Sequence, residues 1–289
     1  MKTPTFCLLV AFGLLGAQAH AGTVTLTSAD VTSAGDIEVA IQSATAGGTE
    51  PGIVTLDGSA GPFEYTNGDR AINISVSDLT LRSTNFARIV NCGDGLFFDA
   101  VPVSNILIEG IVFDCLGNGI AWNGAGPRER VTVQDNVIQG GLSGIVIGDA
   151  LDWEITRNII SGTFGIAIDL IGGADASVVN NLLVGFSGVR VDFDPVVITP
   201  PTGHRIVENR IEALVTGVRL DDAAAENRVV ANRICLHTAP GPAIFLGPDT
   251  SNNRVHGNQA ALVSGGNLVV VEDLGTDNQV SGNTQRRRC

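Results

Sequence analysis

Along this chain the apolar positions recur in a short phrase: an aliphatic residue, two variable residues and Asn. It reads VQDN ending at Asn136, ITRN at Asn158, VVNN at Asn181, IVEN at Asn209, VVAN at Asn232, VHGN at Asn258 and VSGN at Asn283. The asparagines are therefore 22, 23, 28, 23, 26 and 25 residues apart. A second phrase alternates apolar and variable positions: GIAWN from Gly119, GIVIG from Gly144, GIAID from Gly165, GVRVD from Gly188 and GVRLD from Gly217. Earlier copies are visible in LTLR (Leu79 to Arg82), GLFFD (from Gly95) and LIEGI (from Leu107). Alternation with a period of two predicts strands, and the Gly, Asn and Asp between them predict turns. A repeat in the low twenties without a recurring helix excludes a leucine-rich repeat and predicts a parallel β-solenoid. Each coil then supplies two or three short strands that pair with the coils on either side. Asn suits the recurring bend because it tolerates the left-handed region, and stacked amides bond one another along the axis.

One segment departs from this pattern. Residues 36–46 (DIEVAIQSATA) place Ile37, Ala40, Ile41 and Ala44 on one helical face, with Gly47 and Gly48 as the stop. A short amphipathic helix there would cover the open apolar end of the stack and block edge-to-edge association. Before it, Met1-Lys2, an apolar run from Phe6 to Leu15, and Ala19-His20-Ala21 form the pattern of a secretory leader cleaved before Gly22. No segment is apolar for the ~18 residues a membrane span requires. The expected organisation is a leader over 1–21 and one β-helix domain over 22–289, with 22–60 as its N-terminal cap region. It would be a monomer, secreted or periplasmic.

Composition narrows the partners. Lys2 is the only lysine, so arginine supplies 16 of the 17 basic residues against 30 acidic ones, and the formal net charge is −13. Nucleic acid is excluded as the principal partner, since no broad basic face is available to it. Beyond the leader four cysteines remain, Cys92, Cys115, Cys235 and Cys289. An even count in an exported chain suits disulfides, and no Cys/His spacing points to zinc.

The AIQSATAGG stretch leading to IVTLDG, with the repeated V-x-x-N and G-I-x-I phrases, resembles right-handed parallel β-helix proteins of the pectate-lyase superfamily. The resemblance covers residues 36–283 and implies an all-β, right-handed parallel β-helix of about nine or ten coils. It identifies architecture far better than activity, because one scaffold hosts many reactions. Cys92 and Cys115 lie 23 residues apart at nearly equivalent coil positions. With coils stacked about 4.8 Å apart they fall within disulfide reach. Cys235 with Cys289 would require the tail to fold back over two coils.

Aligning the second phrases on their glycines sorts the charged residues into two outward columns. One reads Phe97, Ala121, Val146, Ala167, Arg190, Arg219, Phe245; the other reads Asp99, Asn123, Gly148, Asp169, Asp192, Asp221, Gly247. In this alignment Asp169, Asp192 and Asp221 stack on successive coils beside Arg190 and Arg219, with Asp194 and Asp222 at the margin. Like charges in line repel. Either the arginines offset that repulsion, giving a solvated ion lattice, or calcium bound by Asp169, Asp192 and Asp221 does. The inward columns make Trp122 a core residue. The longest coil carries an insertion at 195–203 (PVVITPPTG), expected to wall a groove beside this face and leading into His204.

A repetitive face matches a repetitive ligand, and the expected partner is an extended, acidic polysaccharide. The catalytic candidates are Asp169, Asp192, Asp194, Asp221, Arg190 and Arg219, with Asn123, Asp222 and His204 as substrate-binding candidates. For β-elimination, the resemblance to calcium-dependent pectate lyases implies Asp169, Asp192 and Asp221 as calcium ligands and Arg190 or Arg219 as the base. For hydrolysis, Asp192 with Asp169 or Asp194 offers two carboxylates at workable spacing. The alternative reading is a non-catalytic periplasmic or cell-surface β-helix that binds or supports. His204, His237 and His256 sit at turns, where isolated histidines are ordinarily exposed.

Overall fold

A computed structural model describes residues 22–64, 71–99, 101–122, 127–194, 199–238 and 241–289. The leader over 1–21 and Asn123 lie outside the described residues. The chain is nearly all β, winding as a parallel solenoid of about nine turns. Strand runs assemble into a twelve-stranded and a sixteen-stranded sheet. The first follows the V-x-x-N phrases, from Thr23–Thr27 through Arg128–Gln134 to Gln279–Ser281. The other combines the strands after each Asn with the G-x-x-x phrases. In three central coils these merge into single long strands, Ile159–Ile171, Leu182–Asp192 and Arg210–Leu220.

The core is a set of side-chain stacks along the axis. Val54, Leu81, Ile108, Val133, Ile155, Val178, Ile206, Val229 and Val255 are register partners in succession, all fully buried. Ile72, Leu96, Ile120, Ile145, Ile168, Val189, Val218 and Ile244 form a second stack. Each such side chain contributes roughly 1.5–3 kcal/mol on burial. No coil buries its interior alone, so stability is shared between neighbours.

The predicted asparagine ladder is present. From Asn136 to Asn258, the backbone N–H and Nδ2 of each Asn both donate to Oδ1 of the next, at 2.9–3.1 Å. Nδ2 also donates to a backbone carbonyl on the preceding coil, as from Asn181 to Ile155 at 2.8 Å. The bend thereby satisfies its own polar groups in the interior, where an unmade bond is costly.

The helix spans Ala34–Ala44 and buries Ala34, Ile37, Ala40, Ile41 and Ala44. It begins two residues earlier than the apolar pattern predicts, because the Asp36 carboxylate accepts from the N–H groups of Thr32 (2.8 Å) and Ser33 (3.0 Å) and so fixes the entry turn. It packs on the strands Thr23–Thr27, Gly52–Asp57 and Ile72–Ile74, at the N-terminal end of the stack. Cys92 and Cys115 are joined as predicted, with Cα atoms 4.7 Å apart. Cys235 and Cys289 are free thiols. They neighbour one another, and burial first, then Cys289, pushes the Cys235 thiol up to about 12. Among the described residues no helix is long and apolar enough to cross a membrane.

Candidate functional site

The G-x-x-x strands present one outward column that runs Asn73, Phe97, Ala121 on the N-terminal coils and Val146, Asp169, Arg190, Arg219, Phe245, Glu272 on the later ones. This corrects the column predicted for Asp169. Asp169 is the register partner of Arg190, and Asp192 is the partner of Ile171. The predicted three-acid stack is thus a two-acid neighbourhood, with Asp192 beside Asp221 and Asp169 set two positions away along the strand. The cause is local. The strand Ile159–Ile171 shifts register twice, between Ser161 and Thr163 and between Thr163 and Ile166. Ile168, not Ile166, therefore stacks on Ile145 and Val189. A slip of two residues preserves which side chains face outward, so the hydrophobic pattern does not betray it.

Asp169 is almost wholly covered, its side chain 6% exposed. Arg190 covers it with a two-pronged ion pair, Nε to Oδ1 at 2.8 Å and Nη2 to Oδ2 at 2.6 Å. The free prong, Nη1, reaches Asp192 Oδ2 at 3.2 Å. The bond to Asp169 holds the Arg190 guanidinium above its ordinary pKa, so this arginine stays charged. On the next coil Arg219 pairs with Asp221, and its guanidinium lies over the Phe245 ring, 5.1 Å from the centroid. Asp192 behaves oppositely to an ion-paired acid: burial raises its pKa above the usual carboxylate range, and Arg190 offsets only part of that.

Arg190, Asp192, Arg219 and Asp221 line a cleft of about 370 Å³ with Ile166, Phe186, Ser187 and Asp222. Phe186 is 45% exposed and forms an aromatic wall. Phe186 and Ser187 were missed in the sequence because they lie before the aligned phrase, where the three long strands continue unbroken. Asp194 is exposed at the margin and does not line the cleft. Residues 195–198 of the long insertion lie outside the described residues. Its described end is tied to earlier coils, with Thr199 N–H donating to Asp149 Oδ1 at 3.0 Å.

The donor set does not fit a calcium ion. Among the described residues no three His, Cys, Asp or Glu side chains converge as metal ligands. Asp169 faces Arg190, and Asp221 faces Arg219. The arginines supply the compensation that the alternative reading assigned to a cation.

His204 is not an exposed turn residue. It is fully buried, and its Nδ1 accepts the Ala176 N–H at 3.1 Å while its own N–H donates to Asn227 Oδ1 at 2.9 Å. Asn227, Asn253 and Asn278 continue the same column, so His204 heads a second, shorter ladder in which an imidazole nitrogen replaces an amide oxygen. Nε2 is buried outside hydrogen-bonding geometry. Burial pushes the imidazole down to about 4, with the Gly172 carbonyl opposing, so it is neutral near pH 7. His204 is therefore structural. His237 and His256 are exposed, as expected. Trp122 is half-buried instead of filling the core. Its ring covers Gly148, where an added Cβ would come within 2.4 Å of it. The buried indole is Trp153, whose Nε1 donates to the Arg128 carbonyl at 2.8 Å.

A larger concavity of about 540 Å³ lies toward the N-terminal end of the same face, lined by Ala71, Asn73, Gly93, Asp94, Phe97, Asp99 and Gly117. Asn73 Nδ2 donates to Asp99 at 3.3 Å, and its Oδ1 is buried without a partner. Its carboxylates, Asp94 and Asp99, are half-buried like Asp192, but the lining holds no arginine to set against them, so the Asp/Arg cleft is the richer in charge. Phe97 and Phe245 bracket the charged centre along the column.

Together these features define a right-handed parallel β-helix protein with an outward, groove-bearing sheet face. No protein-family model and no curated protein sequence matches the chain. Among solved structures, it is similar to the surface protein and adhesin PfbA of Streptococcus pneumoniae, with TM-score 0.66 and 12% identity over 92% of this chain and 89% of that one. It is also similar to DFA-IIIase from Arthrobacter chlorophenolicus A6 in complex with DFA-III, with TM-score 0.59 and 16% identity over 92% of this chain and 84% of that one. At such identities the likeness shows the shared fold.

Proposed function

We propose that this chain binds an extended polysaccharide along the Phe97–Phe245 column and hydrolyses it at the Asp/Arg cleft. The observation that carries the reading is Asp192, whose carboxyl is held above its usual range by burial while Asp221 and Asp222 share its cleft. A glycosidase needs one carboxyl kept protonated to donate to the leaving oxygen and a second kept ionised. Asp192 is assigned the first role. Asp221 and Asp222 supply the second, one coil away at about 4.8 Å between backbones. Phe186 offers a sugar ring an apolar surface, and the fold's neighbours, an adhesin and a DFA-IIIase bound to DFA-III, are consistent with carbohydrate binding or processing.

Hydrolysis is favoured over elimination on physical grounds. An arginine base has to release its proton, and Asp169 drives Arg190 the other way. The cleft also sets Arg190 and Arg219 against Asp192, Asp221 and Asp222, with Arg190 further engaged by the covered Asp169 beneath it. That balance suits a neutral polymer at this point better than a polyuronate.

A non-catalytic carbohydrate-binding surface is the second reading, favoured by the pairing of Asp169 and Asp221 with arginines. A screen of neutral and acidic polysaccharides for binding and for new reducing ends, using native protein and Asp192→Ala, separates the two. Turnover that disappears with Asp192→Ala supports hydrolysis. Binding without turnover in the native protein supports the second reading, and neither binding nor turnover in the native protein defeats both.

A further inference from the structure

The V-x-x-N sheet carries a column that the cleft does not use. Arg205, Arg228 and Arg254 are register partners on three consecutive coils and all are exposed. Strand pairing places them about 4.8 Å apart. Two residues further on, Val207, Val230 and His256 form the adjacent outward column, and the six side chains line a groove of about 270 Å³.

What sets this column apart is that arginines without an ion pair stand in register on consecutive coils. Arg88, Arg130, Arg157, Arg190, Arg210 and Arg219 each have a carboxylate partner. Among the described residues Arg205, Arg228 and Arg254 have none, although the chain holds 30 acidic residues against 17 basic ones. Glu208 and Glu226, at the flanking turns, make no ion pair with them, and Arg205 shares an adjoining groove with Asp152, Glu154 and Asp175 without an ion pair to any of the three. Like charges opposed on neighbouring strands repel one another. A rigid sheet holds them in line nonetheless, and an anion with matching repeat would turn the repulsion into attraction.

We propose that this column is a docking track for a linear carboxylated polysaccharide, with one carboxylate per coil. The guanidinium fork matches a carboxylate through two parallel hydrogen bonds. Strand pairing sets the arginine repeat, so the track reads spacing as well as charge. The half-buried Val207 and Val230 give the floor on which a sugar ring lies flat. A nucleic acid fits less well, because His256 is the single ring among the six lining side chains and successive bases need successive stacking partners. Three charges on a protein of net charge −13 also give little hold on so dense a polyanion. The track lies on a different sheet from the Asp192 cleft, so it stands or falls independently of the proposed hydrolysis.

The test uses the whole protein and short oligogalacturonates, with binding followed by calorimetry at low and moderate salt. The expected affinity falls roughly twentyfold between 50 and 200 mM salt, as three released counterions would give. Replacing Arg205, Arg228 and Arg254 together by Gln is expected to weaken binding at least tenfold without lowering the unfolding temperature, and Lys at all three positions to restore part of it. Should the triple variant not fold, Arg228→Gln alone carries the test with a threefold or greater loss. Asp192→Ala is expected to leave this binding unchanged. Unaltered affinity in the folded Gln variants overturns the proposal. Equal, arginine-dependent binding of duplex DNA or phosphatidylserine vesicles also overturns it, since the track would then be a general anion patch.

Discussion

Arg190 holds both carboxylate oxygens of Asp169, one coil away, and extends its remaining nitrogen to Asp192 on its own strand. One guanidinium thus bridges the most buried acid of the face and the acid assigned to proton transfer. Because Asp169 is covered, removing it leaves Arg190 one strong partner short in a partly desolvated position. Asp169→Ala is expected to destabilise the protein by about 2 kcal/mol, the usual scale for losing hydrogen bonds to a charged group. Urea denaturation measures this. A change within 0.5 kcal/mol, the scale of an ordinary surface substitution, would show the pair to be decorative.

The raised pKa of Asp192 makes a prediction about pH. A carboxyl whose folded pKa lies above its unfolded value binds more protons in the folded state between the two values. Its ionised form is therefore a burden on the fold at neutral pH, and the burden is relieved as pH falls toward the unfolded value of 3.8. Asp192→Asn is expected to raise the unfolding temperature at pH 7, with the advantage shrinking toward pH 4. The same substitution is expected to reduce polysaccharide turnover at least a hundredfold, the usual scale of lost general-acid catalysis. Stability and activity moving in opposite directions is the signature sought. If both fall together, Asp192 is a structural residue.

The architecture was legible because a solenoid writes its fold repeatedly: the V-x-x-N spacing alone locates seven bends, and each Asn is seen bonding its neighbour. Ile37, Ala40, Ile41 and Ala44 likewise announce the cap helix. The site was less legible, for identifiable reasons. An alignment on glycines assumes that the same residue opens every strand, but in the fourth of these coils Ala167, wholly buried, occupies the place that Gly188 holds in the next. Asp169 was consequently placed over Asp192 when it belongs over Arg190. His204 appeared to be a turn residue because its partner, the N–H of Ala176, is a backbone group on another coil. Side-chain chemistry at such a position is invisible until the register is known. The arginine column was equally hidden, since Arg205, Arg228 and Arg254 become neighbours only when their strands are paired.

The second ladder makes His204 a source of acid sensitivity. A buried imidazole held neutral, with its pKa pushed down to about 4, contributes stability that is complete above the unfolded value of 6.5. That contribution is lost as pH falls from 6.5 toward 4, because only the unfolded state takes up the proton. Unfolding free energy measured against pH is expected to fall more steeply across this interval in the native protein than in His204→Asn. Asn is the residue found at the next three positions of the column, so it preserves an acceptor for the Ala176 N–H. His204→Ala removes that acceptor and is expected to cost about 2–3 kcal/mol at pH 7. Identical acid limbs for the native protein and His204→Asn would assign the acid sensitivity to the carboxylates instead.

Position along the main ladder is expected to govern the cost of breaking it. Asn181 accepts from both the backbone and the side chain of Asn158, and donates to Ile155, Val179 and Asn209. Asn181→Ala leaves the buried Asn158 N–H without its acceptor, at about 1–3 kcal/mol, and removes the Nδ2 bonds to Ile155, Val179 and Asn209, while Asn158 Nδ2 keeps the Val133 and Thr156 carbonyls. The expected total is about 4 kcal/mol, a large fraction of a domain's net stability. Asn283 is the last Asn of the ladder among the described residues: it accepts from Asn258, and its coil is largely exposed. Asn283→Ala leaves groups that water reaches, and about 1 kcal/mol is expected. Denaturation of the two variants, with hydrogen exchange to follow the flanking coils, checks the comparison. Slowly exchanging amides at Asn158 and Leu182 should lose protection in Asn181→Ala and keep it in Asn283→Ala. Equal losses from both substitutions would mean that the ladder acts as one rigid unit, without the nearest-neighbour coupling that a solenoid implies.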